Sequence, residues 1–197
     1  MKQSAALGLG IAAFFMAPAA KAEAEQVPSL QWNTSLTLGL ARYGDSNDLW
    51  RASRFASSLR ADFLFGRSNN ASFGFGPTTF IGLSTYSELN LGAGAQLLIP
   101  VHDYLPITLS AGLYGVNREE QKTRPGTFLA LGWGPRSFNY HSSYSMGGGL
   151  LLEARRDLAE SPVTTWLASV QIDSALLALP VVFVVNAFRL PPIEIAR

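Results

Sequence analysis

Apolar and polar residues alternate along most of this chain with a period of two. In segment 30–43, most even positions are large and apolar: Leu30, Trp32, Leu36, Leu38 and Leu40, interrupted by Thr34. The odd positions between them are polar or small: Gln31, Asn33, Ser35, Thr37 and Gly39. Segments 54–66, 72–85, 88–100 and 106–115 repeat the alternation. Because successive side chains of a strand point to opposite faces, the pattern predicts five strands with one apolar and one polar face.

Three further strands are predicted after residue 115. Strand 6 falls in 127–133, strand 7 begins after Gly134-Pro135, and strand 8 falls in 164–173. Strand 6 is short, so it must include residues of the preceding connection or lie where the barrel wall is low. Segment 174–189 has no clean alternation, and its Pro180 disfavours both a central strand and an uninterrupted helix. The sequence does not decide whether this segment is a last strand or an apolar helix.

The two predicted faces differ in charge. The polar face carries Arg60, Asp62, Glu88, Gln96, Glu153 and Arg155, whereas the apolar face is not interrupted by Lys or Glu. The strands are also longer than the usual length of about 5–6 residues. We therefore predict an all-β fold: an antiparallel transmembrane β-barrel of eight strands, with its apolar face toward lipid and its charges paired in a narrow lumen. A soluble sandwich or lipocalin-like barrel also alternates, but it fits these faces less well.

The connections between the predicted strands differ in length. Segments 67–71 and 101–105 are short turns, whereas 44–53 and 117–126 are longer, polar and charged. The link at Tyr86-Ser87 is tight. Short turns at one end and longer loops at the other are typical of outer-membrane barrels, so the long segments are predicted to be external.

The first residues have the pattern of a secretory signal peptide. Lys2 precedes an apolar run from Ala5 to Met16, and the small-residue site Ala20-Lys21-Ala22 follows. We therefore expect residues 1–22 to be cleaved and residues 23–197 to form the barrel domain. Within that domain, the barrel is predicted over about 29–188 and a short tail over 189–197.

Composition excludes several kinds of chemistry. The 197 residues include no cysteine and two histidines, His102 and His141, far apart in the chain, so we predict no metal site and no cofactor. The formal net charge is +1 without a cluster of Lys and Arg, so no nucleic-acid partner is predicted. The Asp-rich segment 44–48 lacks the later bidentate acid of a calcium loop, and His102-Asp103 is interpreted as a polar turn pair.

The signal peptide, the long alternating strands and the short turns resemble the small outer-membrane β-barrel proteins of Gram-negative bacteria. The resemblance implies residence in the cell outer membrane, contact with its lipid and lipopolysaccharide, and insertion by the barrel-assembly machinery. It also implies a possible protein partner at the external loops. Such barrels commonly end on an aromatic residue, for which Phe188 is the candidate here. The functions that this resemblance implies are structural tethering, adhesion, a narrow pore or lipid-modifying catalysis.

One stretch invites a catalytic interpretation. His141, Ser143 and the later Glu153 are similar to the serine-hydrolase element of outer-membrane lipid A deacylases. Tyr144, however, stands where that family has an Asn that supports the oxyanion. If Ser143 to Glu153 is one strand, its ends are about 33 Å apart, far beyond the reach of about 3 Å that a triad needs. The deacylase therefore remains a weak alternative.

With a period of two, the stretch 136–155 has a simpler interpretation. Phe138, Tyr140 and Tyr144 fall on the apolar face, where they are predicted to join Trp32 among the interfacial aromatic residues. His141 and Ser143 fall on the lumen face. Eight strands leave an interior that side chains just fill. A narrow pore is therefore kept as a second alternative, beside the deacylase. The leading prediction is a non-enzymatic barrel with a structural or interaction role through its external loops.

Overall fold

The computed structural model describes residues 30–44, 48, 50–67, 72–84, 88–102, 105–117, 123–136, 147–158 and 162–187. It contains eight strands and one helix, in this order: β1 Leu30–Gly44, β2 Ala52–Phe65, β3 Gly74–Ser84, β4 Glu88–Ile99, β5 Ile107–Asn117, β6 Arg124–Trp133, β7 Gly148–Asp157, β8 Thr164–Asp173 and α1 Ser174–Ala187. The predicted count of eight strands is confirmed.

The strands form a closed antiparallel barrel. Each strand pairs with the next one along the chain. The first and last strands also pair with each other, from Ser35 with Asp173 to Gly44 with Thr164. Closure removes the exposed sheet edges that would otherwise pair with other chains. The predicted fold class is therefore confirmed.

The period of two in the sequence places large apolar side chains outside the barrel and polar ones inside it. Leu113 and Phe75 on the outer wall are 66% and 62% exposed. Asn33, Asp62 and Gln171 on the inner wall are buried. This distribution is the reverse of that in a water-soluble barrel, and it is the arrangement of strands that alternate between a lipid-facing and a lumen-facing side.

The two ends of the barrel are named here by the chain termini. The terminal end is where β1 begins and β8 ends, and it carries the connections 66–73, 100–106 and 134–147. The distal end carries 45–51, 85–87, 118–123 and 158–163. The predicted contrast between short turns and long external loops is therefore wrong, because the longest connection, 134–147, lies at the terminal end.

The predicted start of strand 7 is also wrong. Strand β7 begins at Gly148, whose backbone N–H donates to the Pro135 carbonyl oxygen at 2.9 Å. Gly134, with φ of +142°, packs against Gly149 so closely that a Cβ would lie 2.5 Å from the Gly149 Cα. Strands β6 and β7 thus meet at this point, and residues 137–146 between them, whose sequence still alternates, lie outside the described residues. Strand β6 begins at Arg124, so it includes residues of the predicted preceding connection, which is one of the two alternatives left open for this short strand.

The segment after β8, which the sequence left undecided between strand and helix, is a helix. Helix α1 has apolar residues on all sides and contains Pro180, contrary to the expectation that this proline disfavours an uninterrupted helix. Its first residue contacts the outer wall, where the Ser174 and Thr34 hydroxyl oxygens are 2.5 Å apart. The strands therefore end at Asp173 rather than near residue 188, and Phe188 lies outside the described residues. Among those residues, no helix combines the length and apolarity needed to span a bilayer.

Candidate functional site in the barrel interior

Six ionised side chains form a connected group inside the barrel, called here the lumen charge network. Its members are Arg60, Asp62, Arg136, Glu153, Arg155 and Asp173, and all six are buried. They come from strands β2, β7 and β8 and from the connection after β6. Three guanidinium groups and three carboxylates give the network no net charge. Such balance matters because an unpaired buried charge is costly, whereas a paired and hydrogen-bonded one is tolerated.

Arg136 holds the terminal-end half of the network. Its guanidinium donates from Nη2 to Asp62 Oδ2 at 2.9 Å and from Nε to Asp173 Oδ1 at 3.1 Å. It also donates to Asn33 Oδ1 at 2.7 Å and to Gln171 Oε1 at 3.1 Å. Burial alone would lower the pKa of Arg136, but the charges of Asp173 and then Asp62 raise this pKa above its usual value. One side chain therefore ties the connection 134–147 to strands β1, β2 and β8.

Arg60 extends the network toward the distal end. Its Nε donates to Asp62 Oδ1 at 3.1 Å, and its Nη1 lies 3.7 Å from Glu153 Oε2. Thr78 donates to the same Asp62 oxygen at 2.6 Å. The other Glu153 oxygen accepts from Arg155 Nε in a short contact. Both carboxylates are thus shared between two arginines, which fixes the arginine positions across the lumen.

Aromatic side chains fill the other half of the interior. The Arg155 guanidinium carbon lies 4.6 Å from the Phe80 ring centre and 5.9 Å from that of Tyr114. Phe80 and Phe128 meet edge to face with 5.2 Å between centres. Gly92 and Gly126 provide the space, because a Cβ on either glycine would overlap the ring of Phe80 or Tyr114. The interior is therefore occupied by packed side chains, as expected for eight strands.

Two further polar groups lie nearer the ends. At the distal end, Arg54 Nη1 donates to Glu88 Oε1 at 2.8 Å and its guanidinium carbon lies 4.9 Å from the Tyr43 ring centre. The Tyr114 hydroxyl donates to Asp157 there in a short contact. Toward the terminal end, Ser110 donates to Gln96 Oε1 at 3.3 Å. The structure thus places all six polar residues singled out in the sequence inside the barrel.

Sequence reasoning missed two members of the network, Arg136 and Asp173. Asp173 occupies an inward position of β8 and was recognisable by parity. Arg136 was not recognisable by parity, because a strand 7 that began directly after Pro135 would have put it on the apolar face. The charge balance of the predicted set gave no signal for Arg136, because its third carboxylate, Glu88, is neutralised by Arg54 on the inward parity of β2.

Of the three residues of the catalytic alternative, the structure describes Glu153. His141 and Ser143 lie outside the described residues, as do the predicted interfacial aromatics Phe138, Tyr140 and Tyr144. Glu153 lies five residues into β7, about 17 Å along the strand from its start. Its carboxylate is held by Arg60 and Arg155 inside the lumen.

The remaining candidates from the sequence lie near the terminal end. Trp32 faces outward near the start of β1, is 46% exposed and pairs in register with Phe63. His102 is exposed in the connection 100–106. Within the described part of the chain, no three His, Asp or Glu side chains are placed to hold a metal ion.

The fold and interior define an eight-stranded β-barrel of the transmembrane type. The chain is similar to the crystal structure of Ail, the attachment invasion locus protein of Yersinia pestis, with a TM-score of 0.46 and 10% identity over 74% of this chain and 99% of that one. Ail in complex with the heparin analogue sucrose octasulfate gives 0.40 and 12% over 74% and 99%. A barrel from the de novo design of transmembrane β-barrels gives 0.39 and 11% over 76% and 98%. No protein-family model and no curated protein sequence matches this chain.

Proposed function

We propose that this chain is an integral outer-membrane β-barrel protein with a structural or interaction role, acting through its distal connections. The observation that carries the proposal is the inversion of the barrel: apolar side chains cover the outside and a neutral charge network fills the inside. An apolar wall of this extent would aggregate in water. In a bilayer, the same wall meets hydrocarbon, and closure satisfies the backbone hydrogen bonds.

The role assigned to the distal connections is supported by the side chains that they present. Trp50, in the connection 45–51, is 61% exposed. Its backbone N–H donates to Asp48 Oδ1 at 3.1 Å, and the Arg42 guanidinium carbon lies 5.9 Å from its ring centre. An exposed tryptophan held by a local hydrogen bond and an arginine is a typical contact residue of interfaces. A protein partner would bind here, lipid would surround the wall, and the barrel-assembly machinery would insert the chain.

A folded barrel in membranes is expected to migrate anomalously in gels until it is boiled. Membranes from expressing cells are extracted in mild detergent and run with and without heating, and outer and inner membranes are separated first. We expect a heat-dependent shift and enrichment in the outer-membrane fraction, because a closed barrel resists detergent at room temperature. Migration that never changes with heating would contradict the barrel, and recovery in the inner membrane would contradict its location.

The filled interior argues against the pore alternative. Packed aromatic and charged side chains occupy the lumen where a conducting path would run. We therefore expect the refolded protein to give no steady current in planar bilayers at neutral pH. Steady single-channel steps in wild-type protein, absent from a mock preparation, would contradict the structural role and favour a pore.

The deacylase alternative receives no support from the described residues. A catalytic acid of a triad must orient a histidine by a hydrogen bond. The Glu153 carboxylate is instead shared between Arg60 and Arg155. We therefore propose a structural part for Glu153 in the lumen charge network and retain the non-enzymatic role.

A further inference from the structure

The described part of the barrel's outer wall carries two charged side chains. Among the described strand residues that face outward, the charged ones are Arg42 on β1 and Arg156 on β7, and both are exposed. Each lies within three residues of the distal end of its strand. All other charged strand residues belong to the inward-facing parity, including Arg54 and Arg124 at the same end. These two arginines are thus placed where the apolar wall ends.

The two arginines flank strand β8. Arg42 pairs in register with Trp166, and Arg156 pairs with Thr164, two residues further toward the distal end. They therefore lie diagonally across β8, with Cα atoms about 12 Å apart from ordinary strand spacings. Two guanidinium groups on flexible stems, separated in this way, can bind one phosphate together or two phosphates of one headgroup.

Aromatic side chains surround the pair. Trp50 packs against Arg42, with 5.9 Å from the guanidinium carbon to its ring centre. Trp166 faces outward between the two strands and is 47% exposed. Tryptophan is enriched at the level of lipid headgroups. The position of Trp166 between the two arginines is therefore that of a membrane interface rather than of open solvent.

The opposite rim of the wall has a different composition. Its outward residues at the terminal ends of the strands are uncharged: Leu30, Trp32, Phe65, Phe75, Ile99, Ile107, Trp133, Leu150 and Ile172. A general need for solvation would place charges at both rims. Among the described strand residues, outward arginines lie at the distal rim and not at the terminal rim, which indicates a partner in one leaflet, and their positive charge favours an anionic one. Arginine is suited to phosphate because its planar donors bind two oxygens at once.

We propose that Arg42 and Arg156 form a site for the phosphate groups of an anionic lipid in the leaflet at the distal end. The site deepens the proposed function, on which it rests, because it requires that the barrel lies in a bilayer. The lipid phosphate lies beside Trp166, with one arginine on either side of β8. Binding there fixes the barrel's depth and marks the distal leaflet as the anionic one.

The test measures lipid binding by the refolded full chain in nonionic detergent, by native mass spectrometry. Phosphatidic acid is the probe, and phosphatidylcholine is the zwitterionic reference. Wild-type protein is expected to bind phosphatidic acid more tightly. Arg42→Gln and Arg156→Gln are each expected to weaken that binding about fivefold, and the double variant about 30-fold, because each interfacial arginine contributes about 1 kcal/mol. Arg124→Gln, at the same end but on the inward parity, is the matched control and is expected to bind as wild type does.

The heat-dependent gel shift is recorded for every variant, so that folding and binding are separated. Equal binding of both lipids by a wild-type barrel that shows the shift overturns the site and leaves the proposed barrel standing. The same holds if the double variant binds phosphatidic acid as wild type does, or if Arg124→Gln loses as much as the double variant. A wild-type chain that shows no shift in any membrane overturns both proposals.

Discussion

Arg136→Ala is expected to lower the free energy of unfolding of the barrel by about 3–5 kcal/mol. The substitution leaves the buried Asp62 and Asp173 carboxylates without their shared cation and removes the tie between the connection 134–147 and the barrel wall. Removing one partner of a buried ion pair costs more than the pair itself contributes, because the remaining charge stays desolvated. Urea titration of protein refolded into phosphatidylcholine vesicles, followed by tryptophan fluorescence, measures the change.

A second substitution distinguishes the free energy lost with the Arg136 charge from that lost with its packing. Arg136→Ala combined with Asp173→Asn removes a cation and an anion together, so part of the lost free energy is expected to return. A double-mutant cycle gives the coupling between the two side chains. Arg51→Ala, in the connection 45–51, is the exposed control and is expected to change stability by less than about 0.5 kcal/mol. A loss for Arg136→Ala no larger than that of the control would show that Arg136 does not hold the lumen charge network.

The barrel was predictable because one simple rule governs every strand. A side chain at every second position faces lipid, so the spacing of Leu36, Leu38 and Leu40 on β1 is enough to identify the wall. The inward positions were visible for the same reason, and Arg60, Asp62 and Glu153 lie inside as parity requires. An even number of strands then allows the first and last strands to pair antiparallel, as Ser35 and Asp173 do.

The same rule fails where the chain leaves the sheet. Period two in a sequence does not require strand pairing: the alternation includes Arg136 and Gly147, which lie outside the strands, and β7 begins at Gly148. Where β6 and β7 meet, Gly134 packs against Gly149, a contact that is visible only in the tertiary structure. Arg136 was therefore absent from the predicted lumen residues, and with it the cation that neutralises Asp173.

The C-terminal helix marks a second limit of the rule. Segment 174–187 has neither a period of two nor an apolar stripe, since apolar residues lie on all sides of α1. An all-apolar segment gives no periodic signal, and Pro180 argues against both regular structures. A helix in lipid tolerates proline more readily than one in water, because neighbouring groups satisfy the freed carbonyl. The sequence alone therefore could not decide between strand and helix.

Leu152→Arg is expected to lower the free energy of unfolding in vesicles by about 2–4 kcal/mol, because it places a charge at the middle of the lipid-facing wall. Leu152 is the fifth of ten residues of β7, faces outward and is 55% exposed. If the wall faced water, the same substitution at an exposed position would change stability by about 0.5 kcal/mol or less. The size of the loss therefore reports whether hydrocarbon or water covers the barrel.

Leu30→Arg is the matched control, because it makes the same chemical change at the first residue of β1, also outward and 41% exposed. Near the interface, an arginine head reaches the headgroups, so its expected loss is about 0–1 kcal/mol. Both variants are compared with wild type by urea titration in the same vesicles. Equal and small losses at the two positions would show that the medium around the wall does not change with depth. Such a result would contradict the membrane assignment. A large loss confined to Leu152→Arg follows only if the middle of the wall lies in hydrocarbon.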